Sequence, residues 1–207
     1  MDEDVPVERV IVFVDGNNLY HRLKERGWPT WNNIGKLAER IVGPHRKLVH
    51  IYYYNAHPPG GKSHTTKGNE YLAEVQRTPN LTFRRAWLQP TSKVDEYGSY
   101  PSYREKGADT SLSTDLTALA ADDEMDVVVI VSSDGDFAPA ATIAHDKYGK
   151  AVEVIYFEGS RPFAMESCSL MRQFRQSFLV ECDHNRSNRP ASPKTQHRSR
   201  KHRKRLR

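Results

Sequence analysis

Five consecutive branched apolar residues, Val127-Val-Val-Ile-Val131, stop abruptly at Ser132-Ser-Asp-Gly-Asp136. Such a run has no polar face to turn to water. It therefore reads as a strand buried on both sides, the usual situation of a central strand in a parallel sheet. Two carboxylates follow at its carboxyl end, and in open α/β sheets ligands bind in the crevice outside those ends. The start of the chain repeats the pattern, with Val10-Ile-Val-Phe-Val14 passing straight into Asp15-Gly-Asn-Asn18. If the two strands run parallel, acids from both arrive at one sheet edge.

Strand-like and helical segments alternate through the rest of the chain. Strands are expected at about 9–14, 48–55, 81–88, 127–131 and 151–157, where β-branched and aromatic residues concentrate. The first helix, capped by Asn17 or Asn18, runs to about Arg26, where Gly27-Trp-Pro breaks it. A second covers 33–42, with Ile34, Leu37, Ala38 and Ile41 on one face. Further helices are expected up to about Gln76 and over 109–121, 138–148 and 162–172. Residues 89–107 are polar, contain Tyr97, Tyr100 and Tyr103, and read as a small hairpin or a mobile flap. The repeated βα unit predicts an α/β fold: a three-layer α/β/α sandwich with a mainly parallel, five-stranded, Rossmann-like sheet. Right-handed crossovers allow few strand orders. One that returns to the opposite side after the third strand makes the first and fourth neighbours, with Asp15 beside Asp134 and Asp136.

Asp109 and Asp115 join these acids, because the helix they occupy starts where the chain has crossed the ligand edge. Asp115 is six residues on and off Asp109's face, so it also reads as a solvated helix residue. Asp15, Asp109 and Asp136 each have a plainer reading as a turn former or helix cap. Four or five neighbouring carboxylates would raise one another's pKa unless a cation compensates. Hard oxygen donors, without a closely spaced cysteine pair or a histidine cluster, favour Mg²⁺ or Mn²⁺ over zinc. Such a site can bind a phosphodiester, activate water and stabilise the leaving oxygen. Asp122-Asp-Glu124 and Asp126, at the opposite end of the fourth strand, read as a solvated loop, and Cys168 and Cys182 as free thiols.

Three blocks in order, Val12-Phe-Val-Asp-Gly-Asn-Asn18, Lys106-Gly-Ala-Asp109 with Asp115, and Ser132-Ser-Asp-Gly-Asp-Phe137 with Pro139, resemble the signature blocks of NYN domains. These are PIN-like nucleases that include the bacterial LabA-like proteins. The resemblance covers roughly residues 9–180 and implies a PIN-like fold and metal-dependent endoribonuclease chemistry, leaving 5′-phosphate and 3′-hydroxyl ends. Carried over block by block, Asp15, Asp109, Asp134 and Asp136 would be the catalytic, metal-binding acids, with Asp115 as an outer support and Asn18 orienting a ligand or water. Lys106 is a candidate phosphate contact. Ser133 departs from the LabA-like pattern, which has glycine there, and adds a hydroxyl at the site.

The net charge of +5 divides unevenly. Residues 184–207 carry ten of the 31 Lys and Arg and no acid, leaving 21 basic against 26 acidic residues in the body, or −5. The tail cannot bury a core and is expected to be disordered, apart from a nuclease domain spanning 1–183. Its cations, among them Arg200, Lys201 and Arg203, suit electrostatic attachment to RNA or another anionic surface. His57, His64, Arg84, Arg85 and Trp87 fall on or after the second and third strands and could line a substrate groove. The preferred reading places the aromatics in the core and the cations at the surface. No apolar run approaches a membrane span, and the acidic Met1-Asp-Glu-Asp4 is unlike a signal peptide, so a cytoplasmic location is expected. Two rivals remain: an RNA-binding or regulatory module with little or no catalysis, and an aspartate-nucleophile phosphatase. The second wants a carboxylate where Asn17 stands and is set aside. Whether the chain is a monomer or a homodimer is left open.

Overall fold

The computed structural model describes residues 6–56, 66–95, 98–180 and 182. Strand β1 (Arg9–Asp15) explains why the sequence has strands without a polar face. Val10, Val12 and Val14 pack on one side of the sheet, against α1 (Gly16–Glu25), α2 (Ile34–Val42) and α3 (Thr66–Gln76). Ile11 and Phe13 point to the other side, against α4 (Ala108–Ala121) and α5 (Ala138–Thr142). Strand β5 (Val127–Val131) is divided between the two cores in the same way, each residue at most 2% exposed. Full burial of such side chains stabilises by about 1.5–3 kcal/mol each. Both faces are thus covered by helices.

The α/β class agrees with the sequence, but among the described residues the sheet has seven strands rather than five, in the order β4-β3-β2-β1-β5-β6-β7. Strands β2 (Lys47–Ala56), β3 (Leu81–Asp95), β6 (Ala151–Tyr156) and β7 (Leu170–Gln173) join β1 and β5 in parallel pairings. Among the described strands only β4 (Gly98–Lys106) is antiparallel, paired to β3. The first and fourth expected strands, β1 and β5, are indeed neighbours.

The two additional strands have different causes. Pairing of β2 with β3 ends at Ala86, yet β3 continues to Asp95 as a two-stranded ribbon with β4. The polar stretch is thus a hairpin, and Pro90 and Pro101 are tolerated in it because beyond Ala86 the ribbon's outer edges are open. The helix expected over 162–172 is replaced by a 3-10 turn (Phe163–Met165) and β7. Arg172 of β7 pairs with the buried Glu153 of β6 and donates to the Ile41 carbonyl at 3.0 Å. Phe174 then stacks on Phe157, ring centroids 4.5 Å apart. These long-range contacts override a local helical pattern. The helix expected over 138–148 forms as α5 followed by a π-helical turn, Ile143–Lys147. No described helix is long and apolar enough to cross a membrane. His57, His64, Tyr97, Arg200, Lys201 and Arg203 lie outside the described residues.

Candidate active site

Register brings the site together before any side chain is considered. Val14 pairs with Val131, so Asp15 and Ser132 leave adjacent parallel strands at the same edge. The Ser132 hydroxyl donates to Asp15 Oδ2 at 3.0 Å, and Ser132 Oγ itself accepts the Asp134 N–H at 3.1 Å. Asp15, not Asn17 or Asn18, caps α1: its Oδ1 accepts the Asn18 N–H at 2.9 Å. The Asn18 side chain reaches back, its Oδ1 accepting the Ser133 N–H at 3.2 Å. The Ser133 hydroxyl accepts the Phe157 N–H at 2.9 Å, joining the end of β5 to the end of β6. Gly16 lets α1 begin this close to the sheet, because a Cβ there would stand 2.5 Å from the Tyr53 ring.

Three elements deliver their acids to one cavity of about 430 Å³, lined by Asp15, Asn18, Asp109 and Asp134. Asp134 caps the 3-10 turn Gly135–Phe137, its Oδ1 accepting the Asp136 N–H at 3.0 Å. Asp109 lies in the first turn of α4, which starts after Gly107 in the left-handed region at φ 88°. The amino end of a helix favours negative charge, so these placements partly offset the repulsion among the acids. They do not remove it. Burial pushes the Asp15 carboxyl up to about 6, against the lowering effect of its bonds from Asn18 and Ser132, and Asp109 and Asp134 add to the rise. Asp109 is raised as well, by burial first and then by Asp134 and Asp136. Among the described residues none of these four aspartates is ion-paired to lysine or arginine.

The donor set fits a hard divalent cation: carboxylate oxygens from separate elements, their charge not neutralised from within. As the side chains stand, no three His, Cys, Asp or Glu among the described residues are gathered closely enough to enclose an ion. Asp136 is exposed and borders, with Asp109, a shallower groove between α4 and α5 rather than the cavity of Asp15. Asp115 is engaged elsewhere. It accepts from Tyr54 Oη at 2.9 Å and from Arg84 Nε and Nη2 at 2.8 and 3.2 Å, and it does not line the cavity. Lys106 is exposed at the end of β4, just before the cavity-lining Gly107.

Reading the sequence did not single out His21, Arg22 or Arg104, which line the cavity's mouth. The first two were legible in principle, since Asn18, His21, Arg22 and Glu25 fall at helical spacing on one side of α1, away from the buried Leu19 and Leu23. Arg104 depends on the hairpin, which the sequence leaves undecided. Trp87, read as core, is 75% exposed instead.

No curated protein is similar enough to this chain to count as a relative. Among solved structures, the chain is similar to a protein of unknown function from Vibrio parahaemolyticus, with a TM-score of 0.62 at 19% identity, covering 86% of this chain and 99% of that one. At that identity the likeness concerns the fold. The NYN domain signature matches residues 9–181, which contain every described strand and Asp15, Asp109, Asp134 and Asp136. The chain belongs to the NYN domain family, a group of PIN-like nucleases.

Proposed function

We propose that the protein is a metal-dependent endoribonuclease, with Asp15, Asp109 and Asp134 holding one or two Mg²⁺ or Mn²⁺ ions and Asp136, next to Asp109 in the adjoining groove, as an outer acid. The observation that carries this reading is the convergence of Asp15, Asp109 and Asp134 on one cavity, with the Asp15 and Asp109 carboxyls raised and, among the described residues, no lysine or arginine ion-paired to any of the three. A module that only binds a polyanion gains nothing from acids gathered in this way. A divalent ion would supply Lewis acidity toward the phosphate and lower the pKa of an attacking water. The chain's own groups supply placement. Ser132 and the Asn18 N–H fix Asp15, the Asn18 side chain ties the two strand ends, and Asp134 is held by the 3-10 turn it caps. Water adds to phosphorus, the P–O3′ bond breaks, and the departing 3′ oxygen takes up a proton. Arg22 and Arg104 at the mouth offer cations to flanking phosphates.

The test is cleavage of single-stranded and structured RNA with Mn²⁺ by the wild type, Asp15→Asn and Asp134→Asn. Losing a ligand that acts in the transition state is expected to cost about a hundredfold or more in rate. Calorimetric Mn²⁺ titration should show binding that weakens in both variants. Equal cleavage by all three proteins would mean a contaminant or another site. RNA binding without metal binding or cleavage would favour the regulatory-module reading.

A further inference from the structure

The β3–β4 ribbon leaves the sheet beside the cavity, and its two faces differ. On β3, Arg84 reaches Asp115 of α4 and Ala86 is buried on that same side, whereas Phe83 packs against the core under α1, α2 and α3. Strand alternation therefore turns Trp87, Gln89 and Thr91 to the α1 side. Cross-strand pairing sets Lys106 opposite Trp87, Arg104 opposite Gln89 and Tyr100 opposite Lys93, so these β4 residues share that face. Arg104 confirms the assignment by lining the cavity together with His21 and Arg22 of α1. The Trp87 ring lies over cavity-lining Gly107, whose Cβ, were there one, would stand 3.3 Å from it.

The α1-side face thus presents an indole 75% exposed, a phenol 45% exposed at Tyr100, and the cations Arg104 and Lys106, in a surface continuous with the cavity. No acid occurs among its described side chains. The opposite face carries Leu88, Pro90, Ser92, Val94, Ser99 and Tyr103, with no cation among them. Exposed aromatic rings beside cations, leading to an acid cluster, match an unpaired nucleic-acid strand: the rings stack on bases and the cations meet phosphates. A duplex keeps its bases stacked on each other and leaves the indole without a partner.

We propose that the Trp87–Arg104 face of the ribbon is the track on which an unpaired stretch of substrate RNA approaches the cavity. Trp87 stacks on a base, and Arg104 holds a phosphate on the way to the aspartates. Trp87 is here a positioning residue and a source of selectivity for single strands, and its role rests on the nuclease reading above.

The test measures binding of a fluorescent oligoribonucleotide of about twelve nucleotides, single-stranded or annealed to its complement, to full-length protein carrying Asp134→Asn to silence cleavage. Adding Trp87→Ala should weaken single-strand binding by about tenfold, within the range of one lost base stack, and change duplex binding by less than about twofold. Trp87→Tyr should restore most of the loss. Arg104→Ala should flatten the salt dependence by about one phosphate contact. Tyr103→Ala, on the opposite face, should leave affinity within about twofold of the parent. The exposure of Trp87 makes misfolding a weak explanation for any change, and circular dichroism checks it. Parent-like RNA binding by both Trp87→Ala and Arg104→Ala would overturn the track and leave the nuclease reading standing, as would equal losses from Tyr103→Ala and Trp87→Ala. If the parent binds no RNA and the wild type cuts none, the nuclease reading falls, and the track with it.

Discussion

Asp15 carries the largest electrostatic burden of any described acid at the site. It is 7% exposed, lies close to Asp109 and Asp134, and titrates at about 6 instead of the ordinary 3.8. A carboxyl raised in the folded state binds more protons there than in the unfolded chain between those two values. Its contribution to stability therefore declines as pH climbs from about 4 to about 6 and stays low above that. Roughly two pH units at about 1.4 kcal/mol each give a cost near 3 kcal/mol at neutral pH, an order-of-magnitude figure. Asp15→Asn, kept in chelator, should accordingly melt higher than the wild type at pH 7.5. The gain should shrink steadily toward pH 4, where both proteins are neutral at this position. Melting curves across that range decide it, and a gain independent of pH would mean that ionisation of Asp15 is not the source. The same arithmetic explains why a cation suits this cavity, since it offsets the charge that the protein leaves uncompensated. Asp115 shows the contrast: six residues along α4 from Asp109, it is neutralised from within by Arg84.

At the scale of elements, legibility follows how locally each one is determined. The run Val127–Val131 and the run Val10–Val14 were readable because burial on both faces leaves no other use for so many branched residues. Their shared edge, and Asp109's approach to it, followed from chain direction. The partner of Asp115 was not readable, because Arg84 and Tyr54 come from two strands whose order only the fold provides. Strand β7 was unreadable for a similar reason. Leu170-Met-Arg-Gln173 has no strand pattern of its own and is held by a carboxylate on β6. Glu153, 9% exposed, bonds Arg46 Nη1 at 2.5 Å and pairs with Arg172, while the two arginines also donate to the Val42 and Ile41 carbonyls that end α2. One acid thus fastens β6, β7 and the carboxyl end of α2. Glu153→Ala would leave two largely buried guanidiniums facing each other, and about 3–5 kcal/mol of stability should be lost. Replacing Glu153, Arg46 and Arg172 together by methionine should cost less than Glu153→Ala alone, because no unpaired charge remains. Urea midpoints of the two proteins test this, and the reverse order would mean that the carboxylate is not what the arginines depend on.

The whole molecule separates its charges: 26 acids against 21 cations in the first 183 residues, and ten cations without an acid in the last 24. A body with a net charge of −5 repels a polyanion at long range, most strongly at the cavity on which Asp15, Asp109 and Asp134 converge. Arg22, Arg104 and Lys106 counter this only locally. On the proposed function, residues 184–207 overcome the repulsion by capturing RNA nonspecifically and raising its concentration near the ribbon. Counterion release then sets a measurable signature, because each phosphate contact on a single strand adds about 0.7 to the salt slope of affinity. If half of the ten cations engage, removing 184–207 should flatten that slope by about three to four. Affinity at low salt should fall steeply, while the two proteins converge as salt increases. Cleavage at saturating RNA should change little, since the acids and the ribbon are untouched. Anisotropy titrations of full-length and truncated protein across a salt series give both numbers. An unchanged slope would assign the tail to some other anionic partner, and a lost maximal rate would place it in the cleavage step itself.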